Sequence, residues 1–349
     1  MYLLCTLMKG NMKIFRSAEP FGFEGGAVLP GIEIAYHTYG TLNEDGSNVV
    51  WVCHALTASS DAAGWWPGLI GDDCTIDPSK YFIVCANILG SCYGTTGAAS
   101  VNPLTGEPYY LDFPVPTIRD MVKAHMLLRK ALGINRIHLL MGGSMGGYQA
   151  LEWAVMEPEI IDRLFLIATS PAESAWGQAI HTAQRMAVEA DATWKDRSET
   201  AGANGLKAAR AIGMLTYRNY EIMVRMQQEP DPEKILNFRA ESYIRYQGEK
   251  LVKRFNAQCY WILTRSMDTH QLSRGRGGNL ETVLAAIKQP ALIMGVASDI
   301  LCPPAEQQFM AKHMPNAVYK EIDSAYGHDG FLVESGMIGG ALAEFLKTT

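Results

Sequence analysis

A glycine-rich turn around Ser144 constrains this chain more than any other feature. Residues Met141–Gly147 read Met-Gly-Gly-Ser-Met-Gly-Gly and contain the pattern Gly-x-Ser-x-Gly. The apolar run Arg136–Met141 before it predicts a strand, and the pattern of Gly146–Met156 after it predicts a helix. A sharp strand-to-helix turn leaves no room for bulky side chains two residues before and after the serine, which lies exposed above the sheet. A phosphate-binding turn would need Gly-Lys-Ser/Thr or Gly-x-Gly-x-x-Gly, and the sequence has neither. We therefore predict that Ser144 is a nucleophile.

Short apolar runs alternate with amphipathic segments on both sides of this turn. The predicted strands are Asn48–His54, Tyr81–Ala86, Arg136–Met141, Arg163–Ala168, Pro290–Val296 and Ala317–Ile322. The predicted helices are Ile118–Leu132, Gly146–Met156, Pro304–His313 and one that starts near Phe331. Strands that alternate with helices favour a mostly parallel sheet with helices on both faces.

The alternation stops between residues 172 and 286, where helical patterns rich in Met, Arg, Gln and Tyr replace the strand-like runs. We predict an α/β core domain from residues 1–171 and 287–349, and a helical lid domain from residues 172–286. Because open α/β sheets bind ligands at the carboxyl ends of their strands, a lid at this point of the chain would cover the binding site.

The composition excludes several classes of function. The net charge is −6 with scattered cations, which argues against nucleic acid or an anionic membrane as partner. The seven cysteines show no Cys-x-x-Cys spacing, so we predict neither disulfides nor a metal site, and a cytoplasmic location. No apolar run is long enough to span a membrane. The first residues lack the basic region and cleavage site of a signal peptide, and Met8 and Met12 are alternative starts.

A serine nucleophile needs a base, and the base needs an orienting acid. In the α/β-hydrolase fold these follow the serine in the order acid, then histidine. His328 lies in a loop after the last predicted strand and is the predicted base, whereas His313 falls within a predicted helix. Asp299 directly follows the strand Pro290–Val296 and is the predicted acid; Asp323, which ends the next strand, is the alternative.

An acyl-transfer intermediate also needs two N–H donors for its oxyanion. The residue after the nucleophile, Met145, supplies one backbone N–H. The second is expected from the loop after an early strand, here residues 54–57, and we assign it to Leu56. We interpret His54, the first residue of this loop, as a buried structural histidine.

Several motifs in the same order resemble the homoserine O-acetyltransferase family, the acyl-CoA-dependent branch of the α/β-hydrolase fold. The segment around the nucleophile, Gly-Gly-Ser-Met-Gly-Gly-Tyr-Gln-Ala-Leu-Glu-Trp-Ala, carries the resemblance most clearly. Further matching segments run almost from end to end of the chain, at residues 35–43, 54–57, 65–71, 81–87, 117–122 and 328–332.

The resemblance implies a substrate pair and an acceptor pocket. Its substrates would be acetyl-CoA and L-homoserine, with no bound cofactor, and the product a precursor of methionine. Arg210 and Tyr217 match the residues that line the homoserine pocket of the family, and Asp329 matches the residue that receives the substrate ammonium. A guanidinium suits a carboxylate, and a carboxylate suits an ammonium. The family also implies a homodimer that pairs through the lid helices.

The chain departs from the family pattern near the expected acyl pocket. Residues 58–61 read Ala-Ser-Ser-Asp instead of Gly-Asp-Ala-His, Ser91 replaces a glycine, and Tyr148 replaces a common methionine. These departures leave a succinyl donor open beside acetyl. Within the same family, L-serine is an alternative acceptor to L-homoserine. A plain serine esterase is a further alternative. Arg274 and Arg276 are candidates for the coenzyme A phosphates, although a solvated loop is the favoured interpretation.

Overall fold

A computed structural model of the protein describes residues 10–348. Its first nine residues, with the alternative start Met8, lie outside the described part. Within residues 10–348 the strands are β1 Lys13–Ser17, β2 Phe21–Gly22, β3 Val28–Leu29, β4 Ile32–Tyr39, β5 Val49–Cys53, β6 Phe82–Ala86, β7 Leu139–Gly143, β8 Leu164–Ile167, β9 Ala291–Val296 and β10 Ala317–Ile322.

Eight of these strands form one sheet in the order β1-β4-β6-β5-β7-β8-β9-β10. The six strands from β6 to β10 pair in parallel, while β4 pairs antiparallel with both β1 and β6. Strands β2 and β3 form a separate small antiparallel pair. The predicted parallel sheet is confirmed, and the antiparallel strands β1–β4 were not predicted.

Helices cover the sheet and fill the segment between β8 and β9. They are α1 Ala62–Trp65, α2 Ile118–Ala131, α3 Met145–Met156, α4 Ala175–Glu189, α5 Ala203–Tyr217, α6 Tyr220–Gln227, α7 Arg239–Val252, α8 Ala257–Asp268, α9 Leu280–Ala286, α10 Pro304–His313, α11 Gly330–Val333 and α12 Ser335–Lys347. No helix within residues 10–348 is long and apolar enough to cross a membrane.

Two predicted boundaries need correction. The strand predicted at Arg136–Met141 begins at Leu139 and continues to Gly143, because Ile137 forms only an isolated bridge to Ile161. The final helix predicted from Phe331 is divided into α11 and α12 at Glu334.

The central parallel strands β5, β7, β8 and β9 are buried at every position, as strands with helices on both sides of the sheet must be. Alternate residues of β5 belong to different cores: Val49, Trp51 and Cys53 to one, Val50 and Val52 to the other. The first core also contains buried side chains of α2, α3, α8 and α10, and the second contains those of α1, α11 and α12. The continuous apolar run of β5 follows from this double burial.

An ion-pair cluster holds the end of the helical segment, residues 273–278, against the core. Arg276 Nη1 donates to Glu152 Oε2 at 2.9 Å, and Arg119 Nε donates to Glu152 Oε1 at 2.7 Å. Arg274 Nη2 donates to Glu24 Oε2 at 2.8 Å. The loop itself is largely exposed, but carboxylates of the core domain already pair with Arg274 and Arg276, the two candidates for the coenzyme A phosphates.

Candidate active site

Ser144 sits on the tight turn between β7 and α3. Its φ of 53° and ψ of −129° are a backbone conformation that L-residues rarely adopt. A Cβ at Gly142 would overlap the Gly146 backbone, and a Cβ at Gly146 would overlap the carbonyl of Cys53. A Cβ at Gly143 would lie 2.7 Å from the ring of Phe331. The glycines of the motif are thus required by the close approach of β7, α3 and the end of β5.

Three side chains from remote parts of the chain form one hydrogen-bonded series. The Ser144 hydroxyl donates to His328 Nε2 at 2.9 Å, and His328 Nδ1 donates to Asp299 Oδ2 at 2.7 Å. Asp299 Oδ1 accepts the backbone N–H groups of Leu301 and Cys302 at 2.8 and 2.9 Å. The geometry matches a nucleophile with its base and orienting acid.

Burial and charge act in opposite directions on the base. Burial by itself lowers the pKa of His328, but the charge and hydrogen bond of Asp299, helped by Asp329, raise that pKa above the ordinary histidine value. The imidazole can therefore accept a proton from Ser144 and hold it as an ion pair with Asp299.

The other sequence candidates lie elsewhere. Asp323 is exposed, so the structure places Asp299 and not Asp323 beside the base. His313 Nδ1 donates to the carbonyl of Phe309 within α10. His54 is fully buried, which lowers its pKa to about 4; its Nδ1 donates to the Ala55 carbonyl and its Nε2 accepts from the Ile88 N–H. These contacts fit the predicted structural role of His54.

The two predicted oxyanion donors flank the nucleophile. Met145 is the first residue of α3, where a backbone N–H has no acceptor within the helix. Leu56 lines the same cavity as Ser144. The buried Gln149 side chain donates to the carbonyls of His54 and Met145, both at 3.1 Å. One amide therefore fixes the loop that carries Leu56 to the turn that carries Ser144.

A cavity of about 440 Å³ opens above Ser144. Its wall combines core residues with side chains of the helical segment, as the position of that segment in the chain predicts. Of the predicted site residues it contains Leu56, Ser144, Arg210, Tyr217, His328 and Asp329.

The predicted acceptor residues form one wall of this cavity. The Arg210 guanidinium lies over the Tyr217 ring, 5.2 Å from its centre, and that ring lies 6.0 Å from the His328 ring. Burial raises the pKa of Asp329, opposed by Arg218, His328 and Arg210. Arg218 Nε approaches Asp329 Oδ2 to 3.2 Å. Sequence analysis missed this arginine beside Asp329.

The residues that depart from the family pattern differ in whether they line the cavity. Ala58 and Ser59 line the cavity, so they are in a position to contact the acyl group. Tyr148 is buried beneath the site, where its hydroxyl donates to Glu173 Oε2 at 3.0 Å and its ring stacks on His270. Burial raises the pKa of the Glu173 carboxyl, which accepts this hydrogen bond, above the usual glutamate value.

Sequence analysis also missed an arginine at the cavity wall. Arg254 Nη1 donates to the Thr57 carbonyl at 2.6 Å and to the Tyr93 hydroxyl at 2.5 Å. The side chain thus joins the helical segment to the loop that carries Leu56. Arginines are frequent in that segment, and no sequence signal separates Arg254 from the rest. Within residues 10–348, no group of three His, Cys, Asp or Glu side chains is arranged to hold a metal ion.

Comparisons with known proteins agree with this geometry. The family model of the alpha/beta hydrolase fold matches residues 48–335. The homoserine O-acetyltransferase of Cyclobacterium marinum is 46% identical over 324 residues, which cover 93% of this chain and 92% of that protein. The homoserine O-acetyltransferase of Chlorobaculum tepidum is 46% identical over 348 residues, which cover 98% and 96%.

Solved structures show the same fold with two kinds of activity. The homoserine O-acetyltransferase from Bacillus anthracis superposes with a TM-score of 0.90 at 27% identity, covering 97% of this chain and 98% of that one. Esterase E22 superposes with a TM-score of 0.88 at 26% identity, covering 97% and 100%. The fold therefore accommodates acyl transfer to an alcohol and transfer to water.

Proposed function

Because this chain belongs to the homoserine O-acetyltransferase family of the α/β-hydrolase fold, we propose that it transfers the acetyl group of acetyl-CoA to the γ-hydroxyl of L-homoserine. The reaction proceeds by double displacement through Ser144. The hydrogen-bonded series from Ser144 through His328 to Asp299 is the observation that carries this proposal. The product, O-acetyl-L-homoserine, is a precursor of methionine.

The first half-reaction acylates the enzyme. His328 Nε2 takes the proton of the Ser144 hydroxyl, and Oγ attacks the thioester carbon of acetyl-CoA. Backbone N–H groups of Leu56 and Met145 stabilise the oxyanion. When the intermediate collapses, the carbon–sulfur bond breaks, and His328 returns its proton to the departing thiolate of coenzyme A.

The second half-reaction returns the enzyme to its free form. Arg210 binds the carboxylate of L-homoserine, Asp329 binds its ammonium, and Tyr217 closes the wall beside them. His328 takes the proton of the γ-hydroxyl, whose oxygen attacks the acetyl carbonyl. Collapse breaks the bond to Ser144, and the proton on His328 passes to its Oγ. No metal or prosthetic group enters any step.

Water is the competing acceptor of the acetyl group, so hydrolysis of the acyl-enzyme is the second candidate function. The solved structure of esterase E22, which shares this fold over nearly the whole chain, supports this alternative. Side chains of the helical segment limit that reaction because they occupy one wall of the cavity and reduce access of water to the acyl-enzyme. Initial-rate kinetics distinguish acetyl transfer from hydrolysis. Parallel double-reciprocal lines for acetyl-CoA and L-homoserine support transfer, whereas acetate release that is independent of L-homoserine contradicts it.

The donor is tested by mass spectrometry of the protein after separate incubation with acetyl-CoA and succinyl-CoA. We expect an acetyl adduct on the peptide that contains Ser144, and none in the matched Ser144→Ala variant. A succinyl adduct in preference to acetyl would contradict the proposed donor. Replacing L-homoserine by L-serine in the rate assay tests the acceptor in the same way.

We further propose a homodimer that forms through the lid helices. Large apolar side chains are exposed on consecutive elements of that segment, and apolar surface that is exposed together marks interaction sites: Leu215, Tyr220, Met226, Ile235, Leu236, Phe238 and Tyr246. A second copy of the chain is the occupant we propose. Sedimentation equilibrium should give twice the chain mass and a shift toward the monomer in Leu236→Glu; a wild-type monomer would contradict the proposal.

We propose a cytoplasmic location. Among the described residues, Cys53, Cys85, Cys92, Cys259 and Cys302 form no disulfide, which suits a reducing compartment. Fractionation of cells that produce the protein tests this location, and recovery in the membrane or secreted fraction would contradict it.

A further inference from the structure

The α4 wall of the cavity contains a buried amide whose hydrogen-bonding capacity is not used. Gln184 is only 1% exposed and lines the cavity above Ser144. Its Oε1 has no hydrogen-bond partner among the described residues. A buried acceptor without a donor is unfavourable, so at the wall of a cavity such an atom is a candidate partner for a ligand N–H.

Gln184 lies beside the residues assigned to the acceptor pocket. A Cβ at Gly213 of α5 would lie 3.1 Å from Gln184 Nε2 and 3.3 Å from Tyr217 Cε2. The missing side chain at Gly213 therefore lets the amide and the phenol ring approach each other from α4 and α5. The Arg210 guanidinium covers the same Tyr217 ring, so the three side chains form one group.

Helix α4, which carries Gln184, is held against α8 by two contacts with Asp268. His181, one turn before Gln184, donates from Nδ1 to Asp268 Oδ1 at 2.8 Å, and Arg185, the residue after Gln184, pairs through Nη2 with Asp268 Oδ2 at 2.6 Å. Because Asp268 ends α8, these contacts join α4 to α8 and hold the face of α4 that borders the cavity. The Gln184 amide is thus preorganised for a ligand.

An α-amino acid brings one carboxylate and one ammonium into this cavity. Arg210 is the cation suited to the carboxylate. Asp329 is the anion suited to the ammonium, but Arg218 already lies 3.2 Å from one of its oxygens. An ammonium has three N–H donors, so an N–H that Asp329 does not accept is available to another acceptor on the cavity wall.

We propose that Gln184 Oε1 accepts a hydrogen bond from the ammonium of the acceptor amino acid, so that Gln184 determines specificity for α-amino acids over simple hydroxy acids. The inference rests on the proposed function, because it assigns a further contact in the same second half-reaction.

The test compares Gln184→Met, which removes the acceptor at similar size, with Gln184→Glu, which keeps it. At saturating acetyl-CoA we expect the KM for L-homoserine to rise about 10- to 150-fold in Gln184→Met, as for loss of a hydrogen bond to a charged group, and to change by less than about threefold in Gln184→Glu. Gln178→Met, an exposed glutamine on the same helix, is the matched control and should leave the KM unchanged.

A second acceptor substrate tests whether Gln184 recognises the ammonium or only supports the packing of the cavity wall. 4-Hydroxybutyrate keeps the carboxylate and hydroxyl of L-homoserine but has no ammonium. Wild type and Gln184→Met should therefore use it with the same kcat/KM. Equal losses with both acceptors would mean that Gln184 only supports the wall, and a Gln184→Glu variant as impaired as Gln184→Met would overturn the acceptor role.

Failure of the proposed function gives a different result. If the wild-type protein forms no acetyl-Ser144, or releases coenzyme A at a rate that L-homoserine does not change, the transferase assignment is wrong. If acetyl-Ser144 forms and L-homoserine accelerates turnover, but Gln184→Met is unaffected, only the inference about Gln184 is wrong.

Discussion

Replacing Asp299 by asparagine tests the acid assignment with almost no change in shape. Two backbone N–H groups, of Leu301 and Cys302, point at Oδ1. They hold the asparagine carbonyl there, so the new NH₂ group faces His328. His328 Nδ1 must then accept a hydrogen bond, the proton moves to Nε2, and the imidazole can no longer take a proton from Ser144.

The size of the effect follows from this change of tautomer. In serine enzymes with this arrangement, the wrong tautomer lowers turnover by about 10⁴-fold, which corresponds to about 5.5 kcal/mol of transition-state stabilisation. The assay is kcat/KM for coenzyme A release from acetyl-CoA with L-homoserine present. The rate of acetyl-Ser144 formation should fall to the same extent, because both half-reactions need the base.

Asp323→Asn is the matched control, because this exposed aspartate follows the neighbouring strand and was the alternative acid. Its activity should stay within about twofold of wild type, as for a surface substitution. An Asp299→Asn variant that keeps a tenth of the wild-type activity, or an Asp323→Asn variant that loses more, would refute the reasoning.

Three further predictions concern pH, the acceptor pocket, and the fold around the nucleophile. The pKa of His328 is raised, and only the neutral imidazole accepts a proton. Therefore kcat/KM should be highest above this pKa and should fall as the pH drops through it. A pH-rate profile whose acidic limb lies below the ordinary histidine range would contradict this prediction. Arg210→Ala should raise the KM for L-homoserine about 10- to 100-fold, as for loss of a charge-assisted contact, and leave that for acetyl-CoA nearly unchanged; equal effects on both in steady-state kinetics would contradict the assignment. Gly146→Ala should prevent soluble folding or lower the melting temperature sharply, since a Cβ there overlaps the carbonyl of Cys53; a variant that unfolds at the wild-type temperature would show that the turn tolerates a side chain.

The central parallel strands could be predicted from the sequence because they are buried on both faces. Such strands appear as unbroken apolar runs, as in Val49–Cys53, and their limits agree with prediction to within three residues. β4 is different: Ile32–Tyr39 includes Glu33, which is exposed, and the partly buried Tyr36 and Thr38. Its strand character depends on pairing with β1 and β6, and pairing partners are not visible in a local pattern.

The candidate site likewise contains residues that the sequence predicts and residues that it does not. The positions of Ser144, Asp299 and His328 follow from the order of strands, because each lies at or just after the carboxyl end of a strand in one sheet. Arg254 and Gln184 could not be found in this way. They lie on helices or loops whose packing over the core is set by tertiary contacts such as His181 with Asp268, which are 87 residues apart.

In the proposed mechanism both parts of the chain bind the acceptor, because Asp329 belongs to the core while Arg210 and Tyr217 belong to the inserted helices. In that mechanism the core supplies the nucleophile, the base and the oxyanion donors, which serve attack by water and attack by an alcohol alike. Arg210, Tyr217 and Gln184 come from α4 and α5, and the proposed acylation step uses none of them. Substitutions there should therefore alter the ratio of coenzyme A release with and without L-homoserine while leaving formation of acetyl-Ser144 unchanged, and variants of Asp299 should lower both half-reactions together. A lid variant that slowed acylation as much as transfer would show that the two functions are not separable in this fold.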